Sequence, residues 1–231
     1  MLVKNIFSRL KLYLKNRVSF ANVNVSDATF AVLDTETTGL DFTKDKIVSI
    51  AAIKISDLAL QDKDVLDELV NPERDIPWES VKIHHITDEH VKNKQTFTQL
   101  ETKVSNYLQE CILVGHNVDF DVNFIRSNLP QSNLGTLVKN ITTIDTILLS
   151  AGLFPDLETY ELSFLCNKFN IRTNDQIRHS AIGDCIVTAR LFLFLLGEAK
   201  KQNIVTVSQI VKTCKAGQKL HQLTRNAIKI H

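Results

Sequence analysis

The order in which apolar runs occur along this chain limits the folds that it can adopt. Three short β-rich runs come first, and runs with helical and strand patterns then alternate. We predict strands over TFAVLDTET, KIVSIAAIKI, DVLDELVNP, CILVGHN and ITTIDTILL. We predict helices over Glu79–His84, Thr96–Glu110, Phe120–Leu129, Tyr160–Phe169 and from about Ser180 to Lys201. Because alternating helices cover both faces of a sheet, this order predicts an α/β fold with a mixed central sheet and helices on both faces.

The charges divide the chain into three parts. The net charge is +1, but residues 1–27 carry five Lys or Arg against one acid, and residues 198–231 carry seven against one acid. Residues 28–197 are therefore strongly acidic. We predict a basic amphipathic N-terminal extension over 1–27, a central domain over 28–197 and a basic C-terminal extension over 198–231. An acidic domain can hold metal cations and basic ends can attract phosphate backbones, although most charge runs are solvated surfaces.

Several classes of protein do not fit the composition. No apolar run approaches the roughly 20 residues that a membrane-spanning helix needs. Lys and Arg also interrupt the N-terminal apolar stretch, so it lacks a signal-peptide core of about 7–15 residues. We therefore expect a cytoplasmic protein without stable membrane insertion. The four cysteines, Cys111, Cys166, Cys185 and Cys214, are widely spaced, which favours buried thiols over disulfides or a zinc site.

Two carboxylates stand at the end of the first predicted strand. In FAVLDTETTGL, Asp34 and Glu36 are separated by one residue, so their side chains share one face of the strand. Like charges held together repel, and partial burial makes each costlier, so a nearby cation is needed if both stay ionised. Oxygen ligands of this type suit magnesium or manganese better than zinc. An exposed pair at a strand end is the alternative, and this pair alone does not exclude it.

A third carboxylate, Asp121, follows the fourth predicted strand. The run GHNVDFDVNF passes from a strand into a helix, and Asp121 lies in the first helical turn. Phe120 and Phe124 are four residues apart and are expected to anchor this helix in the core. The helix dipole favours a negative charge in the first turn, so capping alone could explain Asp121, and Asp119 competes for that role.

A fourth carboxylate lies in an apolar helix. Asp184 is the only charged residue between His179 and Arg190, and such a carboxylate is costly unless it is paired or binds a metal. His179 precedes it by five positions, about 140° around a helix, so the two side chains cannot share a helical face. We therefore expect His179 in a loop just before the helix. A polar surface histidine is the alternative interpretation.

Together these segments resemble, in order and spacing, the three motifs of the DnaQ-like exonuclease superfamily. Asp34 and Glu36 stand at the first motif, Asp121 at the aspartate of the HNxxFD motif, and His179 with Asp184 at the HxxxxD motif. The histidine in the third motif marks the DEDDh subclass. The resemblance implies a ribonuclease H-like fold and two-metal phosphodiester hydrolysis.

The same resemblance implies a role for each motif residue. Asp34 would bridge two divalent ions, Mg²⁺ or Mn²⁺, with Glu36 and Asp184 completing one site and Asp121 supporting the other. His179 would take a proton from the attacking water as general base. The reaction would release nucleoside 5′-monophosphates from the 3′ ends of single-stranded or frayed DNA.

Residues outside the motifs are implied to contact the substrate. Thr37 and Thr38 would meet the terminal 3′-hydroxyl, Leu40 would insert between the last two bases, and His84 and Asn117 would line the pocket. An apolar wedge needs unstacked bases, which agrees with a preference for single strands. An ordinary buried leucine is the alternative for Leu40.

The resemblance spans about residues 28–197 and includes KIHHIT and YELSFLCNKFNI, which resemble further elements of the family. His85 stands where the family usually has glycine, which puts the local turn in doubt. The run TETTG looks more like the polymerase-associated branch than the RNA-trimming branches, so single-stranded DNA 3′ ends are the expected substrate. Association with a DNA polymerase catalytic subunit stays open, beside independent work in repair or nucleotide salvage. An RNA or oligoribonucleotide exonuclease and a catalytically silent nucleic-acid-binding module are the alternatives.

The roles of the two basic ends stay open. Apolar residues at helical spacing predict a helix within residues 1–20, which could pack on the body, contact a partner or lie on a membrane surface. The run VTVSQIVKTCKAGQKLHQL predicts a short helix near the C-terminal end, without a convincing clamp-binding or polymerase-binding motif.

Overall fold

The structure is a computed structural model that describes residues 22–173, 176 and 179–228. The helix predicted within residues 1–20 lies outside this range. The described residues form one sheet of five strands. These strands are β1 (Phe30–Thr37), β2 (Ile47–Ser56), β3 (Ala59–Leu69), β4 (Ile112–Gly115) and β5 (Thr143–Asp145).

Nine helices are present in the part of the chain that the structure describes. They are α1 (Trp78–His84), α2 (Asp88–Val91), α3 (Phe97–Leu108), α4 (Val118–Asn128), α5 (Asn133–Asn140), α6 (Thr146–Leu153), α7 (Leu162–Lys168), α8 (Ala181–Lys201) and α9 (Val207–Ile228). Among these helices, none has an apolar stretch that would reach across a lipid bilayer.

The sheet is mixed, as the order of the apolar runs predicted. The strand order is β3-β2-β1-β4-β5. Strand β1 pairs antiparallel with β2 and parallel with β4, and β4 pairs parallel with β5. The C-terminal ends of β1, β4 and β5 therefore meet at one edge of the sheet, where side chains from several loops can converge.

The sheet separates two apolar cores, so the prediction of helices on both faces is confirmed. On one face, Phe30 and Val32 of β1 pack with residues of α6, α7, α8 and α9. The ring of Phe192 from α8 meets Phe30 edge-on at 5.0 Å between centroids. On the other face, Ala31 and Leu33 pack with residues of α3, α4 and α5. The four cysteines are buried and free, as predicted.

The prediction of one strand over ITTIDTILL is wrong. Only Thr143–Asp145 is a strand, and the chain enters α6 at Thr146. Asp145 is the N-cap of this helix, and its carboxylate accepts a hydrogen bond from the N–H of Ile147 at 2.8 Å. Aspartate is a preferred N-cap, so the signal was present, but the β-branched composition around it favoured a strand. Helix α5 was not predicted.

The C-terminal run forms a helix of 22 residues rather than a short one. It packs closely on α6 because glycines stand at the crossing. A Cβ at Gly217 would lie 2.0 Å from the carbonyl oxygen of Leu148, and a Cβ at Gly152 would lie 2.4 Å from that of Thr213. Ile210 of α9 is buried in the same core as Phe30. The predicted C-terminal extension is thus packed on the central domain, and the exact domain boundaries stay predictions.

Candidate active site

Strand β1 places two carboxylates on the face that α8 covers. Side chains of a strand point alternately to opposite faces, so Asp34 and Glu36 follow Phe30 and Val32 on one side of the sheet. Both carboxylates are half-buried. The pairing of β1 with β2 shifts register after Glu36, so the regular ladder ends where the carboxylates stand.

Helix α8 brings a third carboxylate to the same place. Its N-cap is Ser180, whose hydroxyl accepts a hydrogen bond from the N–H of Gly183, and Asp184 lies in the first turn. Carboxylate oxygens of Asp34, Glu36 and Asp184 lie within 4.8 Å of one another. The structure therefore brings together three of the four predicted metal ligands, and we call them the carboxylate cluster.

The fourth predicted ligand, Asp121, approaches from the other face of the sheet. Thr35 points to that face, and its hydroxyl donates a hydrogen bond to Asp121 Oδ1 at 2.7 Å. Asp121 lies in the first turn of α4 and is buried. The sequence analysis did not single out Thr35, because a threonine between two carboxylates gives no sign of the helix that will pack behind it.

The electrostatics of this group fit a divalent cation. Burial, as the largest cause, and the nearby charges of Asp184 and Asp121 together raise the pKa of Glu36 from 4.5 to about 8. Burial also raises the pKa of Asp121, against the hydrogen bond from Thr35 that lowers it. Ionised carboxylates at this separation repel in a partly dry site, and a cation among their oxygens would remove that cost.

A turn between β4 and α4 is fixed by an aspartate from the neighbouring strand. Asn117 is the N-cap of α4 and has φ 72°, in the left-handed region. The carboxylate of Asp145, at the end of β5, accepts hydrogen bonds from the N–H groups of Asn117 at 3.3 Å and Val118 at 3.1 Å. Asp145 thereby orients the start of the helix that carries Asp121. Sequence reasoning missed Asp145, because its partners are 27 and 28 residues away.

His179 stands in the turn that leads into α8, as expected, and not within the helix. It is exposed, precedes Ser180 and has φ 58°. With residues of α7 and of the segment after it, His179 lines an open cleft of roughly 640 Å³. The carboxylate cluster does not include it.

The three predicted substrate residues at the end of β1 and in the loop after it lie in different environments. Thr37 is buried and donates a hydrogen bond to the carbonyl oxygen of Gly39 at 2.6 Å. Thr38 is buried, donates to Asp45 Oδ1 at 3.0 Å and accepts from the N–H of Lys46 at 3.0 Å. Leu40, in contrast, is 82% exposed. Both threonine hydroxyls thus have partners within the protein, whereas Leu40 is free to contact another molecule.

His84 and His85 end helix α1 in opposite environments. His84 is buried, and its Nδ1 accepts a hydrogen bond from the N–H of Ile86 at 3.0 Å. Burial lowers the pKa of His84, and the nearby backbone of Thr37 offsets part of that effect.

His85 is the C-cap with φ 60°, a conformation that glycine adopts most easily. The turn is therefore formed with histidine where the family usually has glycine. Ile83, which sequence reasoning did not single out, is 54% exposed next to His84.

A family model described as an exonuclease, of the RNase T type, matches residues 31–192 of this chain. The chain is 32% identical over 169 residues to the DNA polymerase III subunit epsilon of Rickettsia prowazekii, covering 72% of this chain and 73% of that protein. It is 34% identical over 194 residues to a DNA polymerase III subunit epsilon-like protein of Rhodobacter capsulatus. That match covers 84% of this chain and only 27% of the relative.

Two solved structures share the fold. One is exonuclease X in complex with 5′ overhanging duplex DNA, with a TM-score of 0.62 and 25% identity, covering 80% of this chain and 99% of that one. The other is E. coli exonuclease I in complex with a dA16 oligonucleotide, with a TM-score of 0.65 and 16% identity, covering 75% and 42%. The ribonuclease H-like fold implied by the motifs is thereby confirmed.

Proposed function

The chain belongs to the exonuclease family, and we propose that it is a metal-dependent 3′→5′ exonuclease that releases nucleoside 5′-monophosphates from single-stranded or frayed DNA. The carboxylate cluster carries this proposal. Oxygens of Asp34, Glu36 and Asp184 within 4.8 Å of one another form a site with the charge and the donor type that Mg²⁺ or Mn²⁺ requires. Asp121, held by Thr35 on the other face of β1, is the fourth carboxylate.

Four carboxylates are enough to hold two divalent ions, and the roles proposed for them follow the family pattern. Asp34 would be a ligand of both ions, Glu36 and Asp184 would complete one site, and Asp121 would support the other. Bound ions would lower the pKa of an attacking water and offset the charge of the scissile phosphate. His179 would accept a proton from that water as general base, since it stands in the turn immediately before the helix that carries Asp184.

The neighbouring residues are proposed to hold the 3′ end of the strand. Leu40 is proposed as the wedge between the last two bases, since an apolar side chain that is 82% exposed, four residues after Glu36, gains from stacking on a base. His84, with a lowered pKa and a buried ring, lines the pocket as a neutral imidazole. The backbone at Thr37 and Thr38 and the side chain of Asn117 complete the pocket.

The relatives support DNA as the substrate and a polymerase as the partner. Those named above are subunits of DNA polymerase III or similar to one, which favours proofreading or repair in the cytoplasm by an exonuclease domain over residues 28–197. The chain spans only about a quarter of the Rhodobacter relative, so its own assembly is part of the proposal.

Hydrolysis by the purified chain tests the proposed function. Single-stranded DNA and RNA of one sequence, labelled at the 5′ end, are incubated with magnesium or manganese and with the Asp34→Ala variant as the control. We expect DNA to shorten from its 3′ end into nucleoside 5′-monophosphates, and Asp34→Ala to be folded and inactive. Faster hydrolysis of RNA would favour the oligoribonucleotide alternative. Binding of either strand without hydrolysis by either metal would show a silent binding module.

A further inference from the structure

We propose that a second cleft, beside α4, binds the single-stranded segment that precedes the 3′-terminal nucleotides. This proposal rests on the function proposed above and assigns a path to the rest of the substrate. The cleft has a volume of roughly 580 Å³ and lies between the loop after β1 and helices α4 and α5. We call it the α4 cleft. The lining residues that matter here are Phe42, Asn123, Arg126, Thr136, Lys139 and Asn140.

The α4 cleft is linked to the proposed catalytic site through the loop after β1 and through helix α4. Phe42 is two residues beyond Leu40 in the same loop, and its ring meets that of Phe124 edge-on, with centroids 6.5 Å apart. Phe124 follows Asp121 by three residues on α4. Arg126 follows Asp121 by five residues, which is about 7–8 Å along the helix axis and about 140° around it, so the two side chains lie on different sides of α4. Because Phe42 lines the cleft only two residues after Leu40, a strand that passes Leu40 would reach the cleft within a few nucleotides.

The loop that forms one wall of the cleft is tied to α4. The side-chain amide of Asn128 donates hydrogen bonds to the carbonyl oxygens of Asp45 at 3.4 Å and Phe124 at 3.0 Å. Asp45 in turn accepts from Thr38 and lies 3.7 Å from the guanidinium of Arg74. The wall is thus held in place by contacts within the protein, and a strand would enter a preformed cleft.

The cations of the cleft are available to a ligand. Arg126 and Lys139 are exposed, and neither forms an ion pair with any residue that the structure describes. The acid nearest to Phe42 in sequence, Asp41, is occupied: it lies 3.1 Å from Lys44 and accepts hydrogen bonds from Thr43. Two cations without partners on a domain of negative net charge are suited to phosphates.

The remaining groups favour a single strand over a folded protein. Phe42 is 42% exposed and offers an aromatic surface on which a base can stack, which every base can do regardless of sequence. The amides of Asn123 and Asn140 can bond to base edges or sugars. Aromatic, cationic and amide groups in one open cleft are the combination that proteins use for single-stranded nucleic acid.

The test compares a short and a long substrate. Arg126→Ala/Lys139→Ala removes the two phosphate contacts, and Phe42→Ala removes the stacking surface. The matched control is Lys63→Ala/Lys94→Ala, which removes the same charge from exposed lysines outside the cleft. Each protein is assayed for KM and kcat with a trinucleotide and a dodecanucleotide of single-stranded DNA. Its Kd for both is measured by fluorescence anisotropy without divalent metal, and folding is checked by thermal melting.

We expect the cleft variants to lose the tighter binding that the parent shows for the dodecanucleotide. Phe42→Ala should raise KM and Kd for the dodecanucleotide about 5- to 100-fold. Arg126→Ala/Lys139→Ala should reduce the slope of log Kd against log salt concentration by about 1.4, the value for two phosphates of a single strand. The kcat values, the constants for the trinucleotide and every value of the control variant should match those of the parent.

Two results would overturn the proposal. Cleft variants that bind and hydrolyse the dodecanucleotide like the control variant would show that the strand does not use this cleft. An equal loss with the trinucleotide would show a disturbance of the catalytic site instead. If the parent hydrolyses neither substrate, the proposed function fails, while the difference in dodecanucleotide Kd between the parent and the cleft variants still decides whether the cleft binds a strand.

Discussion

The carboxylates and the histidine of the proposed site are held in different ways. Asp34 and Glu36 extend from β1, and Asp184 from α8, and the two elements share a core in which Phe30 and Phe192 are fully buried. His179 lies outside both elements, exposed, in a turn with a left-handed backbone. Side chains on packed elements have directions fixed by the core, whereas a turn residue depends on local contacts. Metal binding should therefore depend on the whole fold, and proton transfer on one turn.

Substitution of His179 should separate proton transfer from metal binding more clearly than any other change. His179→Asn keeps a residue that tolerates φ 58° and takes away the imidazole. We expect kcat to fall about 10²- to 10⁴-fold, the usual range for a general base, with the affinity for manganese unchanged. Steady-state kinetics and calorimetric titration of the metal measure the two quantities.

His85→Asn is the matched control for that experiment. His85 is also an exposed histidine with a left-handed backbone, at φ 60°, so the same substitution should leave kcat near that of the parent. A parallel loss of metal affinity in His179→Asn would mean that the histidine is a ligand and that the two parts of the site are not separable.

Repulsion among the carboxylates should make the free energy of unfolding depend on pH when no metal is present. Glu36 has a folded-state pKa of about 8 against 4.5 in the unfolded chain, so folding disfavours its ionisation between these values. The contribution of Glu36 to the free energy of unfolding should be intact below pH 4.5. It should decrease as pH rises towards 8 and then level off, a loss on the order of 5 kcal/mol.

Denaturant unfolding in a chelator, at several pH values, measures this effect. Glu36→Gln should flatten the profile and be more stable than the parent at pH 8, while Glu79→Gln, at an exposed carboxylate of α1, should follow the parent. Saturating magnesium should restore much of the loss in the parent by binding the folded state. A parent profile as flat as that of Glu36→Gln would show that the carboxylates are not under repulsion.

The smallest effect is expected from loss of the hydrogen bond that Thr35 donates to Asp121. Thr35→Val removes the hydrogen bond of 2.7 Å to Asp121 and keeps the shape of the side chain. Because such a partner orients a ligand, we expect metal affinity to fall about 10- to 100-fold, with the fold unchanged. Thr43→Val, in the exposed loop, is the control. An unaltered affinity would separate Asp121 from the metal site.

Prediction from sequence succeeded where a local pattern matched the final environment. The alternation in FAVLDTET indicated a strand with Asp34 and Glu36 on one face, and the apolar surroundings of Asp184 indicated that this carboxylate needs a partner or a metal. It failed over ITTIDTILL, because Thr146 begins a helix whose N-cap, Asp145, also serves the distant turn at Asn117. The sequence around Asp145 gives no sign of that second role.

The residues predicted to contact the substrate show the same limit of sequence-based prediction. Sequence resemblance placed Thr38 and Leu40 together at the 3′ end, but the structure buries Thr38 in a hydrogen-bonded pair with Asp45 and leaves Leu40 exposed. Burial of a loop residue depends on which helix packs over it, and Ser80 of α1 covers this one by donating to the carbonyl oxygen of Thr38 at 2.9 Å. No spacing in the sequence specifies that contact.

The sequence by itself determined the alternation of strands and helices, the family and the set of acids, because periodicity and motif order are properties of neighbouring residues. Only the tertiary structure decided that carboxylate oxygens of Asp34, Glu36 and Asp184 lie within 4.8 Å of one another. It also decided that Thr35 donates a hydrogen bond to Asp121 on the opposite face of the sheet. It also decided that Phe42, Arg126 and Lys139 line one cleft. These residues come together because strands and helices far apart in the chain pack against one another. That packing depends on which side chains are buried and which charges are brought close, and a short run of sequence does not specify either.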